Sequence, residues 1–348
     1  MGERLRHQLF CILNLYTILE RPHRESEFTR LTTMHNYLGI DVSKHTLSCC
    51  LIKNDDFIES EFTNDTKGFK ELQSWLHQNQ ATELHCCCEA TGIYHQAIAE
   101  YLSQHYKITV ENPRKIKGFS VTVLQRSKTD KQDARLIARY CQSMKPPEWQ
   151  PPSSESKQLQ ELTRFIERTK KQRASEQTKY QTAPECIKHH IQATIKHLNS
   201  LIKNAESELK VFYNQHQTYS QQHKRLKTIP GIGNNAASVL LSVLLDGRFE
   251  KASQFVAYIG LDPRQRQSGT SVNGRPSISK VGKSSTRSSL FLPAMVAYRD
   301  GAFPEFVARL KKSGKKPKVI IVAIMRKLAV IAFHLINTGQ DYDKARYQ

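Results

Sequence analysis

Four carboxylates are spaced so that they could do metal chemistry. Asp41 lies near the end of the short apolar run Tyr37-Leu38-Gly39-Ile40-Asp41-Val42-Ser43-Lys44, and Glu89 directly follows the apolar run Leu84–Cys88. Asp130 and Asp133 fall in Lys128-Thr129-Asp130-Lys131-Gln132-Asp133-Ala134-Arg135, where a spacing of three puts both on one helical face. Carboxylates from two strand ends and one helix can converge on a hard cation such as Mg²⁺ or Mn²⁺, which takes oxygen ligands. Two such ions sit roughly 4 Å apart and activate an oxygen nucleophile on phosphate. Each residue also has an ordinary role: Asp41 and Glu89 as turn residues, Asp130 and Asp133 as helix caps or dipole partners. Four acids in this order favour the metal site.

A second constellation is the basic stretch Pro263-Arg264-Gln265-Arg266-Gln267-Ser268-Gly269-Thr270-Ser271-Val272. A serine there could act as a nucleophile while arginines hold a phosphate. Ser-Gly is also ordinary loop material, and this stretch alone does not decide between the two.

The elements that must position these groups can be read from pattern. Tyr37–Lys44, Thr46–Ile52 and Phe57–Phe62 are strand-like, with Asn54-Asp55-Asp56 as a turn between the last two. Lys67–Gln78 has helical spacing, with Phe69, Leu72, Trp75 and Leu76 on one face. Leu84–Cys88 is a strand, Tyr94–Gln104 a helix, and Lys107–Val110 a strand closed by Asn112-Pro113. A helix then runs to about Gln142. The order is βββ-α-β-α-β-α, the order of an RNase H-like α/β domain over residues 34–148. It ends in the proline cluster Pro146, Pro147, Pro151, Pro152.

Residues 149–227 read as long helices, a hairpin or coiled-coil pair, with Leu159, Leu162, Phe165 and Ile166 at helical spacing and Pro184 as a break. Residues 228–348 form a mostly α C-terminal domain. In it Ile229-Pro230-Gly231-Ile232-Gly233 has the form of a helix-hairpin-helix turn, whose Gly231 and Gly233 would let backbone N–H groups approach a phosphate. Gln265–Gly282 reads as a Gly/Ser/Arg loop, followed by helices over Leu290–Tyr298, Glu305–Lys311 and Lys318–Ile336.

Charge is uneven along the chain. Met34–Lys145 carries 14 Lys+Arg against 13 Asp+Glu, whereas residues 146–348 carry 33 against 15, within a formal net charge of +20. Residues 260–330 alone hold 15 basic and 3 acidic side chains. Such concentration points to a polyanion, most simply nucleic acid. The eight cysteines include the consecutive Cys86-Cys87-Cys88 and no C-x-x-C pair, so they read as reduced thiols of a cytosolic protein rather than a disulfide or zinc framework. Leu9–Leu19 follows Arg4 and Arg6 but lacks a small-x-small cleavage site, and Val319–Met325 is broken by Arg326-Lys327; neither reads as a membrane segment. Residues 1–33 are either a flexible arm or precede the true start at Met34, the second being preferred.

These stretches, with Gly260-Leu261-Asp262-Pro263-Arg264 and Ser279-Lys280-Val281-Gly282, resemble an insertion-sequence transposase of the IS-one-ten type, the DEDD transposases with a serine-bearing second domain. The resemblance runs from Tyr37 to about Val330. It implies a RuvC-like domain whose acidic quartet, here Asp41, Glu89, Asp130 and Asp133, binds Mg²⁺ (or Mn²⁺). It implies a nucleophilic serine, here Ser268, that forms a covalent phosphoserine link to DNA during strand exchange. It further implies, for some members, a structured guide RNA pairing with donor and target DNA, and a tetramer in which the acids of one subunit meet the serine of another. A nucleoid-associated protein of the bacterial cytoplasm is expected. Arg264, Arg266, Arg275, Lys280, Lys283 and Arg287 lie in or beside Gly/Ser-rich segments and are expected to grip the nucleic-acid backbone. Two other readings compete: a RuvC-like junction nuclease in which water attacks, and an inactive nucleic-acid-binding relic of a mobile element. The intact acids and Ser268 argue against the relic.

Overall fold

A computed structural model describes residues 36–90, 92–124, 129–245, 249–268 and 272–347, without the side chains of 266, 268, 272, 273, 275 and 276. The N-terminal extension, Met34, Lys128, and Gly269 to Ser271 lie outside the described residues. The chain divides into two compact units, with the boundary between Pro151 and Pro152.

The first unit is built on a five-stranded sheet of order β3-β2-β1-β4-β5. The strands are β1 (Asn36–Val42), β2 (Thr46–Lys53), β3 (Asp56–Thr63), β4 (Leu84–Glu89) and β5 (Lys107–Glu111). β1, β2 and β3 form an antiparallel meander, and β4 and β5 run parallel to β1. This mixed sheet is compatible with a RuvC-like arrangement. Side chains alternate across it. Leu38, Ile40, Val42, Cys86 and Cys88 pack under α1 (Thr66–Gln78) and α2 (His95–Ser103). Tyr37, Cys50, Ile52 and Cys87 pack under α3 (Pro113–Thr122) and α4 (Asp130–Met144). Consecutive cysteines thus serve opposite cores as small apolar residues. Burial raises the Cys86 and Cys88 thiols, and pushes Cys50 up to about 11.

In the first unit one element departs from expectation. Asn112-Pro113 does not simply close β5: the Asn112 side chain accepts from the Arg114 N–H at 3.0 Å and Pro113 occupies the first helical position, so the pair starts α3.

The second unit opens with a helical hairpin, α5 (Ser154–Thr182) and α6 (Glu185–Gln215), broken at Ala183-Pro184. The pairs Arg173–Asn199 and Lys170–Glu206 fix the two helices as antiparallel. α7 (Gln217–Lys227) and α8 (Asn234–Leu244) follow, joined by the Gly231/Gly233 turn, and then α9 (Ala252–Tyr258). The segment read as a Gly/Ser/Arg loop is instead a β-hairpin, β6 (Pro263–Ser268) and β7 (Val272–Ile278). The chain ends in α10 (Ser284–Ser289), α11 (Phe291–Arg299), α12 (Pro304–Lys312), α13 (Pro317–Thr338) and α14 (Lys344–Tyr347). Among the described residues α13 is the one helix long and apolar enough to cross a membrane; half of its apolar window is buried, and Ile320, Ile324, Leu328 and Ala332 sit in the unit's core.

Candidate active site

The register of the sheet places the first two acids. Ile40 pairs with Cys88 across the parallel β1/β4 ladder, so Asp41 and Glu89 are the next residues on neighbouring strands, about 5 Å apart at the backbone. Both share a face with Gly39 and Cys87, the side covered by α4. Both are partly exposed.

The second two acids arrive on α4, which lies against Gly39. A Cβ at Gly39 would stand 2.1 Å from the Ala134 carbonyl oxygen and 2.3 Å from the Ala138 nitrogen. Only glycine allows that approach. The helix runs opposite to β1. Its later residue Cys141 donates through Sγ to the His85 carbonyl near the start of β4, and Arg135 and Arg139 stack on Phe57. Its first turn, with Asp130 and Asp133, therefore lies toward the strand ends that carry Asp41 and Glu89. The N-cap is Thr129, whose hydroxyl accepts from the Gln132 N–H at 3.3 Å, so neither aspartate is the cap.

A fifth carboxylate belongs to this end of the sheet and was missed from sequence. Glu111 pairs in register with Glu89. It is buried and accepts from the Tyr140 hydroxyl at 2.8 Å, Lys115 Nζ at 3.1 Å and the Asn112 N–H at 2.7 Å. Burial and this bond raise the Tyr140 phenol. Glu111 ties α4 to β5. Its position just before an Asn-Pro helix start is the signal that could have found it.

In the second unit Ser268 is the last residue of β6 and pairs with Val272 across the hairpin tip. The side chains of Ser268, Arg266 and Arg275 lie outside those described; Arg264 is exposed. The hairpin base is fixed by the Ser279 hydroxyl donating to the Asp262 carboxylate, and by the Lys280 N–H donating to the Gly260 carbonyl at 3.2 Å. Lys280 is exposed. Lys283 packs its Nζ 5.5 Å from the Tyr258 ring centroid, and Arg287 donates from Nη1 to the Ile259 carbonyl at 3.0 Å. Arg287 thus holds a loop together. In the helix-hairpin-helix turn the two glycines differ. Gly231, at φ +81°, faces the Pro293 carbonyl, 2.3 Å from where a Cβ would stand, whereas nothing lies within 4 Å of the Gly233 position. Gly231 serves packing against α11, and Gly233 leaves open space.

Comparison with known proteins decides the family. Residues 38–183 match the model DEDD_Tnp_IS110, described as a transposase, and residues 223–308 match that described as "Transposase IS116/IS110/IS902 family". The pilin gene-inverting protein of Moraxella lacunata is 36% identical over 314 residues, covering 88% of this chain and 98% of the relative; that of Moraxella bovis is equally similar. This chain belongs to the IS110 family of transposases. The transposase for insertion sequence element IS1328 of Yersinia enterocolitica is 33% identical over 151 residues, 41% of this chain and 43% of the relative.

An IS110 transposase is a DNA recombinase, so DNA is its substrate, and its DEDD-type domain implies a divalent metal. The residues present fit that metal in donor chemistry: Asp41, Glu89, Asp130 and Asp133 offer only carboxylate oxygens, on one face and at one end of the sheet. Among the described residues no three His, Cys, Asp or Glu side chains are grouped closely enough to hold an ion.

Proposed function

We propose that this IS110 transposase moves or inverts a DNA segment by strand cleavage and rejoining at Ser268. Its first unit is read as a RuvC-like domain whose Asp41, Glu89, Asp130 and Asp133 hold Mg²⁺ or Mn²⁺. The observation that carries the reading is the descent of α4 onto Gly39, which brings Asp130 and Asp133 to the strand ends bearing Asp41 and Glu89. When bound, the metal would polarise the scissile phosphate and stabilise the departing oxygen.

The chain's own residues would do the rest. Ser268 Oγ attacks phosphorus, a serine–phosphate bond forms, and the bond to one deoxyribose oxygen breaks. The serine proton ends on that oxygen. The reaction exchanges one phosphodiester for another, so a deoxyribose hydroxyl of the partner strand reverses it without ATP. Arg264 and Lys280 present cations beside the hairpin, and contacts of this type hold a backbone without reading bases. Sequence choice is then assigned to a structured guide RNA bound by the first unit and the helical hairpin, and the working enzyme is a homo-oligomer, a dimer or tetramer, in the bacterial cytoplasm. The name of the Moraxella relatives, gene inversion, fits strand exchange better than hydrolysis by a metal-bound water.

The test is recombination by the purified full chain on DNA carrying the element ends, with divalent metal, with and without RNA transcribed from the element's flank. A covalent protein–DNA adduct is expected for the wild type and lost in Ser268→Ala with DNA binding retained. An adduct persisting in Ser268→Ala overturns the serine assignment; full cleavage in excess chelator overturns the metal; equal site-specific activity without RNA overturns the guide.

A further inference from the structure

The second unit contains a cleft formed by α5, α8 and the segment leading through α10. Its volume is about 790 Å³. Five cations and one carboxylate line it. Arg164, Arg168 and Lys171 are exposed at its α5 wall, and Lys283 stands at the opposite wall with the hydroxyls of Ser284 and Ser285. Val239 and Val243 of α8 give it an apolar floor.

Two observations separate this cleft from an ordinary basic surface. First, Gln160 and Thr163, which line it, are 7% and 5% exposed, and the Gln160 Nε2 and Thr163 Oγ1 atoms are buried without a partner among the described residues. Gln160 spends its oxygen on Arg164 Nη2 at 3.1 Å, which leaves the amide with only donors to offer. A buried polar atom without a partner is costly, so such atoms mark a place where something is to bind. Second, two of the α5 cations carry no local carboxylate. Lys170 is paired with Glu206 at 2.8 Å and Arg164 with Glu161 at 2.7 Å. Arg168 and Lys171, three residues apart and so neighbours on this helix, have no carboxylate partner among the described residues. The one acid, Glu167, already accepts from Asn235 Nδ2 at 2.6 Å.

The ligand chemistry follows. Amide donors, hydroxyls and unneutralised cations call for an anion rich in acceptor oxygens. The size is that of a site for a nucleotide-scale ligand, on the order of 300–1,000 Å³, and exceeds what a lone phosphate needs. The apolar floor suits a sugar or base edge. Resting on the reading of this chain as a nucleic-acid recombinase, we infer that the α5/α8/α10 cleft seats a phosphodiester of a nucleic-acid strand, with one nucleotide against Val239 and Val243. It is a second backbone contact, distinct from the hairpin that carries Ser268.

The experiment measures binding of the full-length chain to a labelled single strand and a labelled duplex, both without element ends, across a salt series. Arg168→Ala/Lys171→Ala should weaken binding about tenfold or more. It should flatten the slope of log K against log salt by about 0.9 per lost phosphate contact on duplex, or about 0.7 on a single strand. Lys344→Ala/Arg346→Ala, which removes two exposed cations from α14, should leave affinity within about twofold. Thr163→Val should weaken binding while leaving the free chain's melting temperature equal or higher, because the hydroxyl it deletes has no partner without ligand. A slope unchanged by Arg168→Ala/Lys171→Ala, or an equal loss from the α14 control, overturns the inference. So does tight binding of a nucleoside triphosphate or inorganic polyphosphate that oligonucleotides do not displace. The two readings separate cleanly. Wild-type chain that forms the Ser268 adduct while the cleft variant binds normally refutes the cleft alone. Cleft variants that lose binding in a chain that never forms the adduct refute the strand-exchange chemistry alone.

Discussion

Replacing Gly39 with alanine tests the geometry on which the acidic site depends. The new Cβ would stand 2.1 Å from the Ala134 carbonyl oxygen, a contact with backbone that no rotamer change relieves. To reach ordinary contact, α4 must retreat by roughly 1–1.5 Å. Overpacking of this kind costs about 1–3 kcal/mol. A domain of this size loses several to about ten degrees of melting temperature for that cost. The same retreat carries Asp130 and Asp133 away from Asp41 and Glu89, and misplacement of about 1 Å at a reacting centre costs on the order of 100-fold in rate. Both tryptophans, Trp75 and Trp149, lie in the first unit, so fluorescence reports its unfolding within the intact chain. Gly39→Ala should melt early by fluorescence, and at temperatures where it is fully folded it should still cleave DNA at least tenfold more slowly. Wild-type melting together with wild-type cleavage would refute the placement of α4 on Gly39.

Two further outcomes follow from named contacts. His85 is buried with its Nε2 2.9 Å from the Thr109 hydroxyl; burial, then Lys107, lowers its pKa to about 4 from the ordinary 6.5. The unfolded chain therefore takes up the proton first as pH falls, so the first unit should hold full stability above pH 6.5, lose it progressively toward pH 4 and level off below; urea midpoints followed by tryptophan fluorescence at pH 7 and pH 5 check this, and His85→Gln should narrow the gap. Arg287→Ala should lower stability of the second unit by about 1–3 kcal/mol, by removing a charged donor from the Ile259 carbonyl, and leave the salt slope of DNA binding unchanged; normal melting with a flattened slope would return Arg287 to the nucleic-acid surface.

Much of the first unit was legible because its signals are local. Leu38, Ile40 and Val42 alternate with Tyr37, Gly39 and Asp41, and that period is the sheet itself. Asp130 and Asp133 follow a threonine cap, so their helix announced its start. The role of Gly39 was not legible, since it depends on which helix crosses it some 95 residues later in the chain. The Ser268 hairpin was hidden by composition: Arg, Gln, Ser and Gly lack the apolar alternation that marks a half-buried strand, and its pairing is held by ladder bonds and by the Asp262–Ser279 contact at its base. The basic cleft was hidden for a related reason. Nothing in the spacing of Arg168 and Lys171 sets them apart from the other cations of their helix, and the wall that makes them a site comes from serines more than 100 positions away.

The path of the chain through the first unit also sets an order of assembly during synthesis. β1, with Asp41, is among the first described elements to leave the ribosome, and α4, with Asp130 and Asp133, is the unit's last helix. Contacts between residues this far apart form late, since the intervening loop must close first. A nascent chain that has emerged only as far as β5 can pair its strands and bury Leu38 and Cys88, yet it holds only Asp41 and Glu89 of the four acids. The groove over Gly39 stays vacant until α4 has been made. Translation that stops before α4 thus yields a chain that has the strands of the sheet and lacks Asp130 and Asp133.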